Sequence, residues 1–152
     1  MNDKVIFQDY DETYRFPFDK YNIIGDTTEI EKIINTCGFI NIDVGDITCT
    51  LSKETDNYVS TGMAEGVDCV ANALKDAMAK LPIEINGITK LLLSLWISKN
   101  TQLSRMVITD LRNFICQLPE DIDVVWGGAF DESLVVGQVK ISLIAVNQPS
   151  IC

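Results

Sequence analysis

Asn41, Asp43 and Asp46 stand close together in the segment Phe39-Ile40-Asn41-Ile42-Asp43-Val44-Gly45-Asp46. It is the one place where several oxygen-bearing side chains share a turn-like, otherwise apolar stretch. Two readings of the residues are open. Carboxylates and an amide on one loop can act together on a ligand or partner. Alternatively, Asn and Asp occupy such loops to cap backbone amides and form Asx-turns, with Asp46 capping a helical turn that runs toward Leu51. Exposed loop substitutions of this kind are expected to change stability by less than about 0.5 kcal/mol.

Other chemistry is thin. The chain contains no histidine, which removes the commonest metal ligand, the usual neutral-pH base and every histidine-dependent triad. Five cysteines (Cys37, Cys49, Cys69, Cys116 and Cys152) form no C-x-x-C pair, so they read as reduced structural thiols, with a metal or disulfide role as the alternative. Cys116 falls on the inner face of a helical stripe and is expected in the core. Trp96 and Trp126 could stack a ligand, but both lie in strand-like runs where packing explains them. The acidic groups Asp9-Tyr10-Asp11-Glu12 and Glu120-Asp121-Ile122-Asp123 read as solvated loops rather than cation sites. No metal and no cofactor is expected.

The balance of 12 basic against 22 acidic residues gives a net charge of −10 without any basic cluster. Phosphate backbones and anionic lipid are therefore poor partners, and neither nucleic acid nor membrane binding is expected. No apolar run approaches the roughly 18 residues of a membrane span, and Met1 to Lys20 lacks a signal-peptide core. The expected location is the cytoplasm. With 152 residues and 47% hydrophobic content the chain can bury one sizeable core.

The elements that must position the loop follow from periodicity. Ile30, Ile33 and Ile34 predict a short helix after Asp26-Thr27-Thr28, whose oxygens can cap it. A strand around Tyr58 to Met63 precedes an apolar stripe of Val70, Ala73, Leu74, Ala77, Met78 and Leu81, which Pro82 stops. Ile88 to Ile97 is almost continuously apolar and predicts a central strand covered on both faces. A second stripe runs through Leu103, Met106, Val107, Leu111, Phe114, Ile115 and Leu118 to Pro119. Two strands close the chain, Asp123 to Phe130, broken at Gly127-Gly128, and Val135 to Val146, joined by a connection short enough for a hairpin. The expected fold is α/β (α+β), a mixed four-stranded sheet packed by two amphipathic helices, with the hairpin adding an antiparallel edge. Leu74, Met78, Leu92, Leu111, Phe114, Val125 and Leu143 are the expected core.

This order and several local motifs resemble the C-terminal domain of the FtsZ/tubulin family. Cys37-Gly38-Phe39-Ile40-Asn41-Ile42-Asp43-Val44-Gly45-Asp46-Ile47 follows the family's P-G-L-I-N-V-D-F-A-D-V stretch and keeps its N-x-D-x-x-D frame. Ser60-Thr61-Gly62-Met63-Ala64-Glu65-Gly66 stands where the family has a Gly-rich strand end, and Gly87-Ile88-Thr89-Lys90-Leu91-Leu92-Leu93 is similar to its G-A-x-x-x-L-V strand. Val124-Val125-Trp126-Gly127 and Val139-Lys140-Ile141-Ser142-Leu143-Ile144-Ala145 resemble its last two strands. The similarity spans Glu29 to Asn147. Residues 29–152 are read as the FtsZ C-terminal-like domain and residues 1–28 as an N-terminal extension of unspecified structure. Cys37 replaces the family's proline, Val44 its aromatic, Gly45 its alanine, and Asn147 the glycine of the last strand.

The resemblance implies that Asn41, Asp43 and Asp46 form a synergy loop, which enters a neighbouring subunit's GTP pocket and orients the attacking water and cation. Carboxylates suit that task because phosphoryl-transfer catalysis is mainly positioning and electrostatic stabilisation. The Gly-rich phosphate loop of the family's nucleotide domain has no counterpart here, so the chain by itself is expected to be no enzyme and to bind no GTP. The implied function is a binding or capping module for a bacterial cell-division filament, stimulating hydrolysis in an FtsZ-like GTPase partner. Two alternatives stand beside it. One is a self-associating or small-molecule-binding domain that kept the fold. The other is a fragment of a longer FtsZ-type GTPase, against which the start at Met1 and the unmatched N-terminal segment weigh.

Overall fold

The computed structural model describes residues 16–100 and 105–147. Asp9 to Glu12, Leu103 and Cys152 lie outside them, and Met106 lies outside the described side chains. Five strands form one sheet: β1 (Asn22–Ile24), β2 (Asp56–Glu65), β3 (Lys90–Ile97), β4 (Asp123–Phe130) and β5 (Gln138–Val146). Among the described residues four α-helices accompany them: α1 (Thr27–Asn35), α2 (Val44–Thr50), α3 (Cys69–Ala79) and α4 (Arg105–Cys116).

The sheet order is β1-β2-β5-β3-β4. β1 runs parallel to β2, β3 runs parallel to β4, and β5 lies antiparallel between β2 and β3. The mixed sheet is as expected, with two differences. A fifth strand, Asn22 to Ile24, adds to the β2 edge from a segment too short to show any periodicity. The expected β4–β5 hairpin does not form, because β5 is the central strand. Ile141, Leu143 and Ala145 are buried on one face and Ser142, Ile144 and Val146 on the other, so β5 belongs where both sides are covered. Residues 131–137 therefore carry the chain past the end of β3, with the Asp131 N–H donating to the Ile97 carbonyl at 2.8 Å.

The layers follow from alternation along the strands. Leu91, Leu93, Leu95 and Ile97 of β3 join Val139, Ile141, Leu143 and Ala145 of β5 under α3 and α4, where Val70, Ala73, Leu74, Ala77 and Leu111 complete a core. The opposite face sets Leu92, Trp96, Ile144 and Val146 against Ile30 and Ile33 of α1, Ile47 of α2, and Phe16. Two short helices thus cover the second face in addition to the two amphipathic ones. Each fully buried Leu or Ile contributes on the order of 1.5–3 kcal/mol of transfer free energy. Leu74, Leu92, Leu111 and Leu143 are fully buried, whereas Met78, Phe114 and Val125 pack from the margins. Cys116 is exposed rather than in the core, as are Cys37 and Cys49. Its position turns it to the polar side of the stripe that Leu111 and Phe114 define.

The helix ends obey simple chemistry. Asp26 caps α1 by accepting from the Thr28 N–H at 2.9 Å; the bond from the Thr28 hydroxyl, and after it this backbone bond, hold its carboxyl below the usual range. At the other side of the molecule, β2 and α3 are in backbone contact: a Cβ on Gly62 would lie 2.1 Å from the Ala73 carbonyl oxygen.

Candidate functional site

Asn41 and Asp43 lie exposed on the segment that links α1 to α2, whereas Asp46 is half-buried in the first turn of α2 rather than on that loop. Residues 38–42 lie along the free edge of β4, where the Ile40 N–H donates to the Gly128 carbonyl at 3.2 Å and the Gly128 N–H returns to Ile40 at 2.9 Å. Gly127 and Gly128 do not break β4; they make room for this segment. A Cβ on Gly127 would stand 2.5 Å from the Ile40 oxygen, and one on Gly128 would stand 2.7 Å from the Phe39 ring. Ile42 is buried against the sheet, which leaves Asn41 and Asp43 on the solvent side.

The polar atoms are ordered by local bonds. Asn41 Oδ1 accepts from the Gly38 N–H at 3.1 Å. Asp43 is the N-cap of α2, its Oδ1 accepting from the Asp46 N–H at 2.9 Å, while Asp46 Oδ2 accepts from the Asp43 N–H at 3.0 Å. This reciprocal capping box assigns the cap to Asp43 rather than to Asp46 alone. Each carboxylate spends one oxygen on the backbone, and the other takes no hydrogen bond among the described residues. The capping reading of the loop is therefore real, and it leaves charge exposed. Among the described residues no group of three or more Cys, Asp and Glu is arranged to hold a metal ion.

A second constellation, beneath α1, ties that helix to β3, β5 and the loop after β4. Trp96 Nε1 donates to Ser142 Oγ at 3.0 Å, and Ser142 Oγ donates to Glu29 Oε1 at 3.0 Å. Lys140 pairs with the same Glu29 at 2.9 Å, both side chains mostly buried. Lys32, one turn along α1, stands 4.6 Å over the Trp96 ring and pairs with Asp131. Burial pushes the Asp131 carboxyl up, but the bonds from Lys32, the Ser133 N–H and the Ser133 hydroxyl outweigh it and hold it at about 2. Trp96 is thus a core residue with a satisfied N–H. A lysine and a serine on one face of an otherwise apolar strand, with Glu29 and Lys32 spaced along one helix face, are the sequence signal for this network.

Comparison with known proteins follows from this architecture. No family model matches the chain. The cell division protein FtsZ of Porphyromonas gingivalis is 26% identical over 119 residues, which is 76% of this chain and 26% of that protein. A variant of FtsZ from M. jannaschii superposes with a TM-score of 0.64 at 18% identity, covering 77% of this chain and 35% of that one. TubZ in a four-stranded filament superposes at 0.60 with 11% identity, covering 80% and 33%. This is an FtsZ-like fold. The FtsZ-like chain spans about a quarter of the curated relative's length and about a third of the solved structures, so it matches only part of that GTPase fold. Among the described residues no helix is long and apolar enough to cross a membrane.

Proposed function

We propose that this chain is a binding module for an FtsZ-type filament, docking through the face formed by Asn41, Asp43 and Asp46. The reading rests on one observation: the capping box holds two carboxylates side by side at the start of α2, Asp43 exposed and Asp46 half-buried, each with one oxygen that takes no hydrogen bond among the described residues. Set against a neighbouring subunit's nucleotide, those oxygens would orient a water or a cation at the γ-phosphate, a role that needs position and charge but no covalent chemistry. Acting alone, these 152 residues, which contain no Gly-rich phosphate loop, would occupy the last nucleotide face of a filament without offering one to the next. Growth at that end would be capped while hydrolysis there is stimulated. Proposed partners are an FtsZ-like GTPase or a further copy of this fold, in the cytoplasm.

The test mixes the chain with an FtsZ-type GTPase of the same host and follows phosphate release and filament mass. Asp43→Asn with Asp46→Asn keeps both caps, because an amide oxygen accepts the same bonds, and removes the charge. The wild type should change both quantities and the double variant should not stimulate release. Equal responses to the two proteins, or no response to either, would remove this reading.

A second reading is favoured by the fraction of FtsZ that the chain spans: the same residues would be one domain of a longer FtsZ-type protein. An antibody against the chain should then detect a product well above 16.9 kDa in host extracts.

A further inference from the structure

Two loops at the other end of the sheet from the start of β3 carry apolar residues where turns favour Gly, Asn, Asp and Ser. Val67, between β2 and α3, is 87% exposed; Val135 and Val136, between β4 and β5, are 60% and 63% exposed; Met63 beside them is 48% exposed. The loops are fastened to each other and to the sheet. The Gly66 N–H donates to the Gly137 carbonyl at 3.1 Å, the Val135 N–H donates to Gln138 Oε1 at 3.2 Å, and Gln138 Nε2 reaches Met63 Sδ at 3.3 Å. Leu134 is buried in the α1 face of the core and anchors the second loop. Gly66, Asp68 and Gly137 hold φ values of +86°, +58° and +86°, so a fixed backbone turns the valines outward. β-branched side chains on a fixed backbone lose little freedom when covered.

Lys32 and Lys140, which adjoin these loops, are each paired with a carboxylate, Asp131 and Glu29. The loops contribute Glu65, Asp68 and Glu132, all exposed, and no basic residue. We propose that this valine patch is a protein-docking surface, separate from the Asn41–Asp46 face, whose partner presents an apolar socket rimmed by lysine or arginine. A second copy meets this patch with like charges, and an anionic bilayer repels it. A basic rim satisfies the acidic residues while the valines supply the buried centre.

The probe is an amphipathic helical peptide of leucine and lysine, titrated into the isotope-labelled chain and read by amide chemical shifts. Shifts should concentrate at residues 63–68 and 131–138. Val67→Ser with Val135→Ser and Val136→Ser, a variant that should keep the wild-type Tm, should weaken binding about tenfold or more. Glu65→Gln with Asp68→Asn and Glu132→Gln should weaken it and flatten its salt dependence. The proposal is overturned if the serine variant binds as tightly as the wild type or if the shifts lie elsewhere. It is also overturned if a leucine–glutamate peptide of the same pattern, or phosphatidylserine vesicles, bind the patch equally well. Sedimentation showing a dimer that the serine variant abolishes would assign the patch to self-association and overturn it too.

Discussion

Asp43 and Asp46 cap each other, the carboxylate of each accepting the backbone N–H of the other at 2.9 and 3.0 Å. Their bonds begin α2, whose Ile47 and Thr50 are buried against the sheet. The residues that could serve a partner therefore also hold up local structure, and a truncation confounds the two roles.

Asp43→Ala should accordingly cost about 1 kcal/mol, within the range of roughly 0.5–2 for a lost N-cap, more than the 0.5 kcal/mol ordinary for an exposed loop. Asp43→Asn should leave stability close to wild type. Urea unfolding of the two variants checks this, and equal stabilities would show that the cap contributes nothing.

Gly62→Ala should destabilise by about 1–3 kcal/mol or more, since the added methyl meets the Ala73 carbonyl at 2.1 Å and the Ala77 nitrogen at 2.5 Å, both backbone atoms of α3. The same substitution at Gly66 meets no atom within 4 Å, so its cost would come from the positive φ alone. Comparing the two midpoints separates crowding from backbone conformation.

Leu111→Ala should cost roughly 2–5 kcal/mol through lost transfer energy and the cavity left under α4. A loss below about 0.5 kcal/mol would place Leu111 outside the core.

Asp131 predicts a pH dependence with a definite sign. Its carboxyl is lowered from 3.8 to about 2, so the stability it lends is present above the unfolded value and is lost as pH falls from there through about 2. The difference is worth about 2 kcal/mol. Asp131→Asn should flatten the stability profile between about pH 4 and pH 2 relative to wild type, measured by thermal melts across that window.

These positions also show what the residues alone could and could not disclose. Leu74 and Leu111 lie on helical stripes, and Leu91 to Ile97 form an apolar run interrupted only by Ser94, so α3, α4 and β3 are local properties of the chain. The place of β5 is not local: the short connection after Phe130 reads as a hairpin, and only burial on both faces of Ile141 to Val146 moves that strand between β2 and β3. Val135 and Val136 read as the start of β5 because they are apolar and β-branched, yet Gly137 turns the backbone and leaves them in a loop. The Asn41, Asp43, Asp46 frame was visible as a motif. Its reciprocal caps were not, since the N–H that each carboxylate meets depends on where α2 begins. Glu29 and Lys140, and likewise Lys32 and Asp131, are far apart in sequence and pair only when α1 crosses the sheet.

The central claim is that the Asn41–Asp46 face meets a nucleotide-bearing FtsZ-type subunit. The most direct measurement titrates that GTPase, loaded with a slowly hydrolysed GTP analogue, into the isotope-labelled chain. Amide signals of residues 38–50 should broaden or shift, those of the 65–68 and 131–137 loops should stay in place, and the Asp43→Asn, Asp46→Asn variant should bind more weakly. Undisturbed signals at 38–50, or equal binding by the charge-neutral variant, would contradict the account.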